Sequence, residues 1–387
     1  MSIQEARAAT EQYLPGLIAE LKHQGLMQLE HAEPAQLCQL FRRSNAAGLL
    51  IPQQYGGLGA SPRDTINVLR AVGSLCPSLA VMMTMHHHTI ATIVQLGGII
   101  PAAEDLLRSI ANNQLLLASA FAEGKPGSPI FNSSLKASAV DGGFVLRGTK
   151  KPCTMSHDMD VIVAGVACTD TGGVDHQGFA VIFAEGANIT REPFWKTPIL
   201  RATDSNALIF NDVFVPDEMV LLAEGANAEE IEASAQEASI SGLCWFQLMV
   251  GASYLGAASA LVELLVCKRG VQDTHLAQLA IELEGAHQAL LGTAGTLEQR
   301  QEADAGLYSQ ALCSRFSVQA AIERASNLAV ELLGGMSFIE SEQVSYLLAA
   351  SRAIGFHPIS RTAAAPTLAD FLRNTGSTVD APEPAHV

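Results

Sequence analysis

Apolar residues recur every three or four positions through residues 3–113, alternate with polar ones across much of 115–215, and return to helical spacing from about Glu229. That order predicts an N-terminal all-α domain, a middle β domain and a C-terminal antiparallel helical bundle, an α+β chain that is mainly α. The predicted boundaries are 1–114, 115–226 and 227–374. Residues 375–387 form a small, polar, proline-bearing tail that is expected to be disordered.

Turn chemistry supports this division. Period-2 runs at 135–140, 144–147 and 161–163 are separated by Asp141-Gly142-Gly143, a hairpin signal because glycine takes positive φ without a Cβ clash. Strand patterns continue at 179–184 and 207–215 and close at Pro216, where Asp217 and Glu218 begin a polar connector. Turns at Tyr55-Gly56-Gly57-Leu58-Gly59 and at Gly97-Gly98 break the first helical region. The last region is predicted to hold helices over 239–266, 274–302, 306–333, 342–354 and 364–373.

The helix predicted over 77–96 is apolar on nearly every face and holds three consecutive histidines, His86, His87 and His88. Neighbouring helical residues point about 100° apart, so at most two of them can face one site. One assignment makes one imidazole core, one solvated and one a capping donor. The other gives one of them a proton-handling role near neutral pKa. Metal ligation from a helix needs i, i+3 or i, i+4 spacing, which this run lacks. The apolar run 244–266 is long enough to cross a bilayer, but it contains Gln247 and Glu263 and has no basic anchor before it. It is read as a buried bundle helix and not as a membrane span.

Charge changes the picture in two ways. Only 16% of the residues are charged, too few to cover three exposed domains, so helix faces are expected to be buried in a homodimer or homotetramer. The net charge of −16 excludes nucleic acid as a partner, because phosphate binding needs a basic surface. Residues 121–201 carry eight basic and eight acidic groups, so the acidic excess lies outside the β region, which is where an anionic ligand would bind. Seven scattered cysteines without a C-x-x-C pair, and a start without an apolar signal segment, fit a reduced cytoplasmic setting.

Several motifs resemble those of the acyl-CoA dehydrogenase family, over most of the chain. Pro52 with Tyr55-Gly56-Gly57-Leu58-Gly59 is similar to its P-x-x-Y-G-G-x-G loop, and Phe210-Asn211-Asp212-Val213-Phe214-Val215-Pro216 to its F-x-D-V-x-V-P strand. The resemblance implies a barrel-like middle domain that holds the ring of FAD, or less readily FMN, against the bundle. It implies ring contacts from the backbone of the segments holding Phe121, Ala122 and Cys153, from Thr154 near N5 of the ring, and a pyrophosphate contact from Ser128. Arg269 stands in the neighbourhood of the family's phosphate clamp. Gly334-Gly335 stands where relatives receive the adenine end of FAD from a neighbouring subunit. Two departures are Ala122, where the family has threonine, and Pro152, where it has tryptophan.

Members of the family remove the α proton of an acyl thioester, carried by coenzyme A or an acyl carrier protein, with a glutamate. In this chain the two glutamate positions fall on Phe246 and Arg361, and neither side chain offers a base. Ser78-Leu79 to His86, and Arg352 to His357, are similar to patterns of the dibenzothiophene monooxygenase branch, which makes His86 and His357 the candidate catalytic residues. His357, just before Pro358, also reads as the cap of a helix. The resemblance therefore implies a flavin-dependent oxidoreductase that dehydrogenates an acyl thioester with a non-standard base. An oxygen-using monooxygenase and an inactive scaffold are the alternatives, and the electron acceptor is unknown.

Overall fold

The computed structural model describes residues 3–96, 101–124, 133–169, 175–222, 228–266, 268–300 and 303–376. Helices α1 (Ile3–Tyr13), α2 (Leu17–Gln24), α3 (Leu26–Glu30), α4 (Pro34–Arg43), α5 (Pro62–Gly73), α6 (Pro77–Leu96) and α7 (Pro101–Asn113) come first. Local chemistry sets the start of α5: Pro62 occupies its first position, and the Ser61 hydroxyl accepts from the Asp64 backbone N–H. Helix α6 spans the predicted 77–96 and is buried on nearly all sides, as its apolar composition requires.

The middle region is one sheet of β1 (Leu117–Ala120), β2 (Lys136–Val140), β3 (Gly143–Cys153), β4 (Val161–Thr169), β5 (Asp175–Phe183), β6 (Ile189–Glu192), β7 (Asn206–Pro216) and β8 (Val220–Leu222). Its order is β6-β7-β3-β2-β4-β5-β8, with β1 paired in parallel to β4. The β2–β3 hairpin turns at Asp141-Gly142, where Gly142 has φ 74°. The sheet curls until β5 meets β7 and closes over a core that includes Leu146, Ile162 and Phe210. The polar connector expected after Pro216 is instead a 3-10 turn, Asp217–Met219, leading into edge strand β8 on β5. The acidic pair makes the turn, and the apolar Val220, Leu221 and Leu222 resume the sheet.

Helices α8 (Ala228–Val266), α9 (Asp273–Gln299), α10 (Ala305–Glu340), α11 (Glu342–Arg352) and α12 (Arg361–Gly376) complete the chain. Helix α8 is the axis of the molecule, packing against α5, α6, α9, α10 and α11. It is long and apolar enough to cross a membrane, yet 83% of its most apolar window is buried, in line with a bundle helix. It begins about three turns before the predicted 239. Helix α10 is broken at Gly334 (φ 83°, ψ 161°), where the sequence predicts its end. The Gly97-Gly98 turn and the tail from 377 lie outside the described residues, and α12 runs two residues past Asn374.

Candidate functional site

A cavity of about 200 Å³ lies where α6 and α8 face the sheet. Val81, Met85 and His88 reach it from α6 at i, i+4 and i+7, and Leu243, Phe246 and Tyr254 reach it from one face of α8. Ser119, Phe121, Ala122, Pro152 and Thr154 form the opposite wall. The segment after α11 closes the end with His357 and Pro358.

Phe246 stands between two imidazoles. Its ring centroid is 5.2 Å from that of His88 and 6.0 Å from that of His357, edge-on to both. His88 Nε2 is 3.1 Å from the Ser119 hydroxyl, and His357 Nε2 is 2.7 Å from the Tyr254 hydroxyl. Burial pushes both imidazoles down to about 3, helped at His357 by the positive charge of Arg315 and at His88 by His86. Burial also raises the Tyr254 phenol, so it keeps its proton. The backbone around His357 is held from behind: Arg315 donates to the carbonyls of Ile354 (2.7 Å), His357 (2.9 Å) and Ile359 (2.6 Å).

On the sheet side, the Thr154 hydroxyl is 3.1 Å from Ser205 Oγ, which is 2.9 Å from Thr203 Oγ1. Beneath this wall the buried Lys150 ammonium donates to Glu123 (2.8 Å) and to Ser133 (2.8 Å). Burial alone would raise the Glu123 carboxyl, but hydrogen bonds from Lys150 and Ser134 hold it at about 2. The pair anchors the chain just after Phe121 and Ala122.

Other expected site residues lie elsewhere. His86 is fully buried away from the cavity: the Leu117 N–H donates to its Nδ1 (3.0 Å), and its Nε2 meets the Ala47 carbonyl (2.9 Å). His87 is also fully buried, and neither ring nitrogen has a partner among the described residues. The expected split into core, solvated and capping histidines fails because α6 has no solvent face here. His88 is the one that reaches the cavity, on one face with Val81 and Met85. Ser119 and Tyr254 stood in no motif.

The Cys153 side chain points into the sheet core, where burial pushes the thiol up to about 12. Ser128 lies outside the described residues. Arg361 is exposed at the start of α12, its guanidinium 5.6 Å from the Phe316 ring centroid and not on the cavity wall. Arg269 is exposed in the turn after α8, some twenty residues past Phe246, which is about 30 Å of helix rise. Lys268 Nζ donates to the carbonyls of Leu332 (3.0 Å) and Leu333 (2.6 Å), so Arg269 and Gly334-Gly335 share that distant end. Within one protomer they do not meet the cavity.

The walls suit a flavin ring: flat apolar surfaces from Phe121, Ala122 and Phe246, with the Thr154 hydroxyl on the sheet side for a ring heteroatom, while the Thr203 hydroxyl donates to the Leu200 carbonyl (2.8 Å). Residues 1–112 match the family model for the acyl-CoA dehydrogenase N-terminal domain. Isobutylamine N-hydroxylase of Streptomyces viridifaciens is 36% identical over 374 residues, 96% of this chain and 97% of that one. Dibenzothiophene monooxygenase of Rhodococcus erythropolis is 30% identical over 57% of this chain and 52% of that one. Among solved structures, FMN-bound TdsC from Paenibacillus sp. A11-2 is similar with a TM-score of 0.77 at 18% identity, over 96% of this chain and 97% of that one. Butyryl-CoA dehydrogenase from Megasphaera elsdenii also reaches 0.77, at 15% identity and the same coverage. Structures at such identities carry the fold alone, whereas the near full-length relative carries the family. The chain belongs to the acyl-CoA dehydrogenase superfamily of flavin oxidoreductases.

Proposed function

We propose that this protein is a flavin-dependent monooxygenase that hydroxylates the nitrogen of a small amine. The observation that carries the reading is Phe246 between His88 and His357, with no carboxylate among the described residues lining the cavity. Thioester dehydrogenation, the reaction the motifs imply, needs a base to take the α proton. Phe246 cannot supply one, and Arg361 is off the wall. The full-length likeness to an amine N-hydroxylase supports the amine, and the likeness to a dibenzothiophene monooxygenase supports oxygen chemistry.

A reduced flavin in the cavity would supply two electrons to dioxygen, so that one oxygen atom converts an amine N–H to N–OH and the other leaves as water. The chain's own groups bind and orient. Phe121, Ala122 and Thr154 would hold the ring, and Val81, Met85 and Leu243 would pack the alkyl group of the amine. His88 with Ser119, and His357 with Tyr254, would hold protons at two points on either side of Phe246. The apolar remainder excludes water.

The test supplies chemically reduced FMN or FAD to the purified protein, with alkylamines in air enriched in heavy dioxygen. Mass spectrometry should find one heavy oxygen in a hydroxylamine. A parallel anaerobic mixture of flavin-loaded protein with acyl thioesters should leave the flavin absorbance unchanged. Bleaching by a thioester, with no hydroxylamine from any amine, would replace this reading with dehydrogenation.

A further inference from the structure

Resting on the amine reading, we infer that the cavity takes its substrate uncharged: an amine enters as the free base, and an ammonium ion is refused. An ammonium buried in an apolar pocket is tolerable only beside a carboxylate or several strong acceptors. Among the described residues lining this cavity there is no Asp or Glu.

The groups packed against the cavity point the same way from every side. Helix α6 presents His88, α8 presents Tyr254, and the closing segment presents His357, all uncharged at neutral pH. Behind that segment α10 places Arg315, fully buried on three backbone carbonyls, with no ion pair to a carboxylate among the described residues. Burial lowers its guanidinium to about 10, which still leaves it charged at neutral pH. Arg361, from α12, adds a second positive charge nearby. The carboxyls behind the walls are already committed, and Asp204, between the lining residues Thr203 and Ser205, accepts from the Ser156 hydroxyl, the His157 N–H and the Asn206 amide. Glu30 of α3 is bonded by Ser78 and Tyr346, and burial raises its carboxyl toward the neutral form. Glu123, under the sheet wall, is paired with Lys150.

The wall therefore repels a cation, and it has no group able to deprotonate one after entry. Either imidazole, at about 3, would have to take a proton from an ammonium of about 10.4, a transfer uphill by about seven pH units. The deprotonation has to take place in solvent, before binding.

The experiment measures kcat/KM for total amine from about pH 6 to 9 with isobutylamine and trifluorinated alkylamines of lower basicity. The expected curves rise about tenfold per pH unit below each amine's own pKa, so that isobutylamine rises throughout and less basic amines level off earlier, and all superimpose when plotted against free-base concentration. A single curve shared by amines of different basicity, or a flat one for isobutylamine, would overturn the inference. Calorimetry on the flavin-loaded protein compares isobutanol with the trimethylammonium analogue, and needs no turnover. At least tenfold tighter binding of the alcohol is expected, and equal or tighter binding of the cation overturns the inference even if no amine is oxidised. In Arg315→Met that preference should shrink about tenfold, while Arg315→Lys should keep it. If the Met variant does not fold, the wild-type series and calorimetry decide alone.

Discussion

The Leu117 N–H donates to His86 Nδ1, so His86 must be neutral with its proton on Nε2, donated in turn to Ala47. This imidazole ties the loop after α4 to the first strand. His86→Ala should therefore cost about 2–4 kcal/mol in urea unfolding, because two buried backbone groups lose their partner. Turnover per folded molecule should stay within a few-fold of wild type. His88→Ala and His357→Phe should do the reverse, lowering turnover about a hundredfold with flavin content retained. A catalytic loss in the His86 variant larger than in the other two would reinstate His86 as the proton-handling group. The same burial makes the fold acid-sensitive. Buried imidazoles at about 4 (His86) and about 3 (His88, His357) compete with an unfolded value of 6.5, so below about pH 6.5 the unfolded chain binds more protons. Their contribution is complete above that pH and is lost as pH falls toward 4 and then 3. The urea midpoint should drop steadily on that acid limb, and His86→Gln should make the slope shallower by about one proton. A midpoint flat from pH 7 to about 4.5 would contradict this.

At the scale of elements, α8 touches α5 through glycine. A Cβ on Gly256 would fall 2.7 Å from the Gly73 carbonyl carbon and the Ser74 nitrogen, both backbone atoms that cannot swing aside. Gly256→Ala should therefore push the helices apart and destabilise by about 1–3 kcal/mol, although alanine favours helix. A variant as stable as wild type by thermal unfolding would show that the crossing is looser than drawn. This contact was illegible in the sequence because the clash lies with a residue 183 positions away. The helices themselves were legible wherever an apolar stripe ran long enough: α6 sits on its predicted bounds, and the α10 break falls at the glycine that marked its end. Strands β1, β6 and β8 were not, since runs of three or four residues are too short to show a period. In the site, Phe121, Ala122, Thr154, Phe246 and His357 were named from motif position and do line one cavity. His88 was read as only lining the pocket and ranked behind His86, because a short pattern does not settle which of two residues pointing about 160° apart on a helix faces a site.

The end of the bundle that gathers Arg269 and Gly334-Gly335 also leaves apolar side chains in water, as Ile281, Phe356 and Leu372 do elsewhere. Met336 is 62% exposed, Ile339 76%, and Val266, at the close of α8, 66%. Lone exposed apolar residues need no explanation, but a cluster on one end of a chain with only 16% charged residues is the composition of an interface. The cavity lies about 30 Å away along α8, so one protomer cannot use this end to hold the far part of a dinucleotide whose ring sits in its own cavity. A second copy can, if its distant end meets the first copy's cavity mouth. We therefore expect a dimer or tetramer in which FAD retention depends on assembly. Ile339→Lys combined with Met336→Glu should yield monomers by light scattering, and these should release FAD at least tenfold more readily than the assembled protein while holding FMN about as well. Phe121, Ala122 and Thr154, proposed to hold the ring, line the cavity of a single chain, which is why the shorter flavin should be spared. Monomers that keep FAD fully would place the whole cofactor within one subunit and leave the exposed cluster without this role.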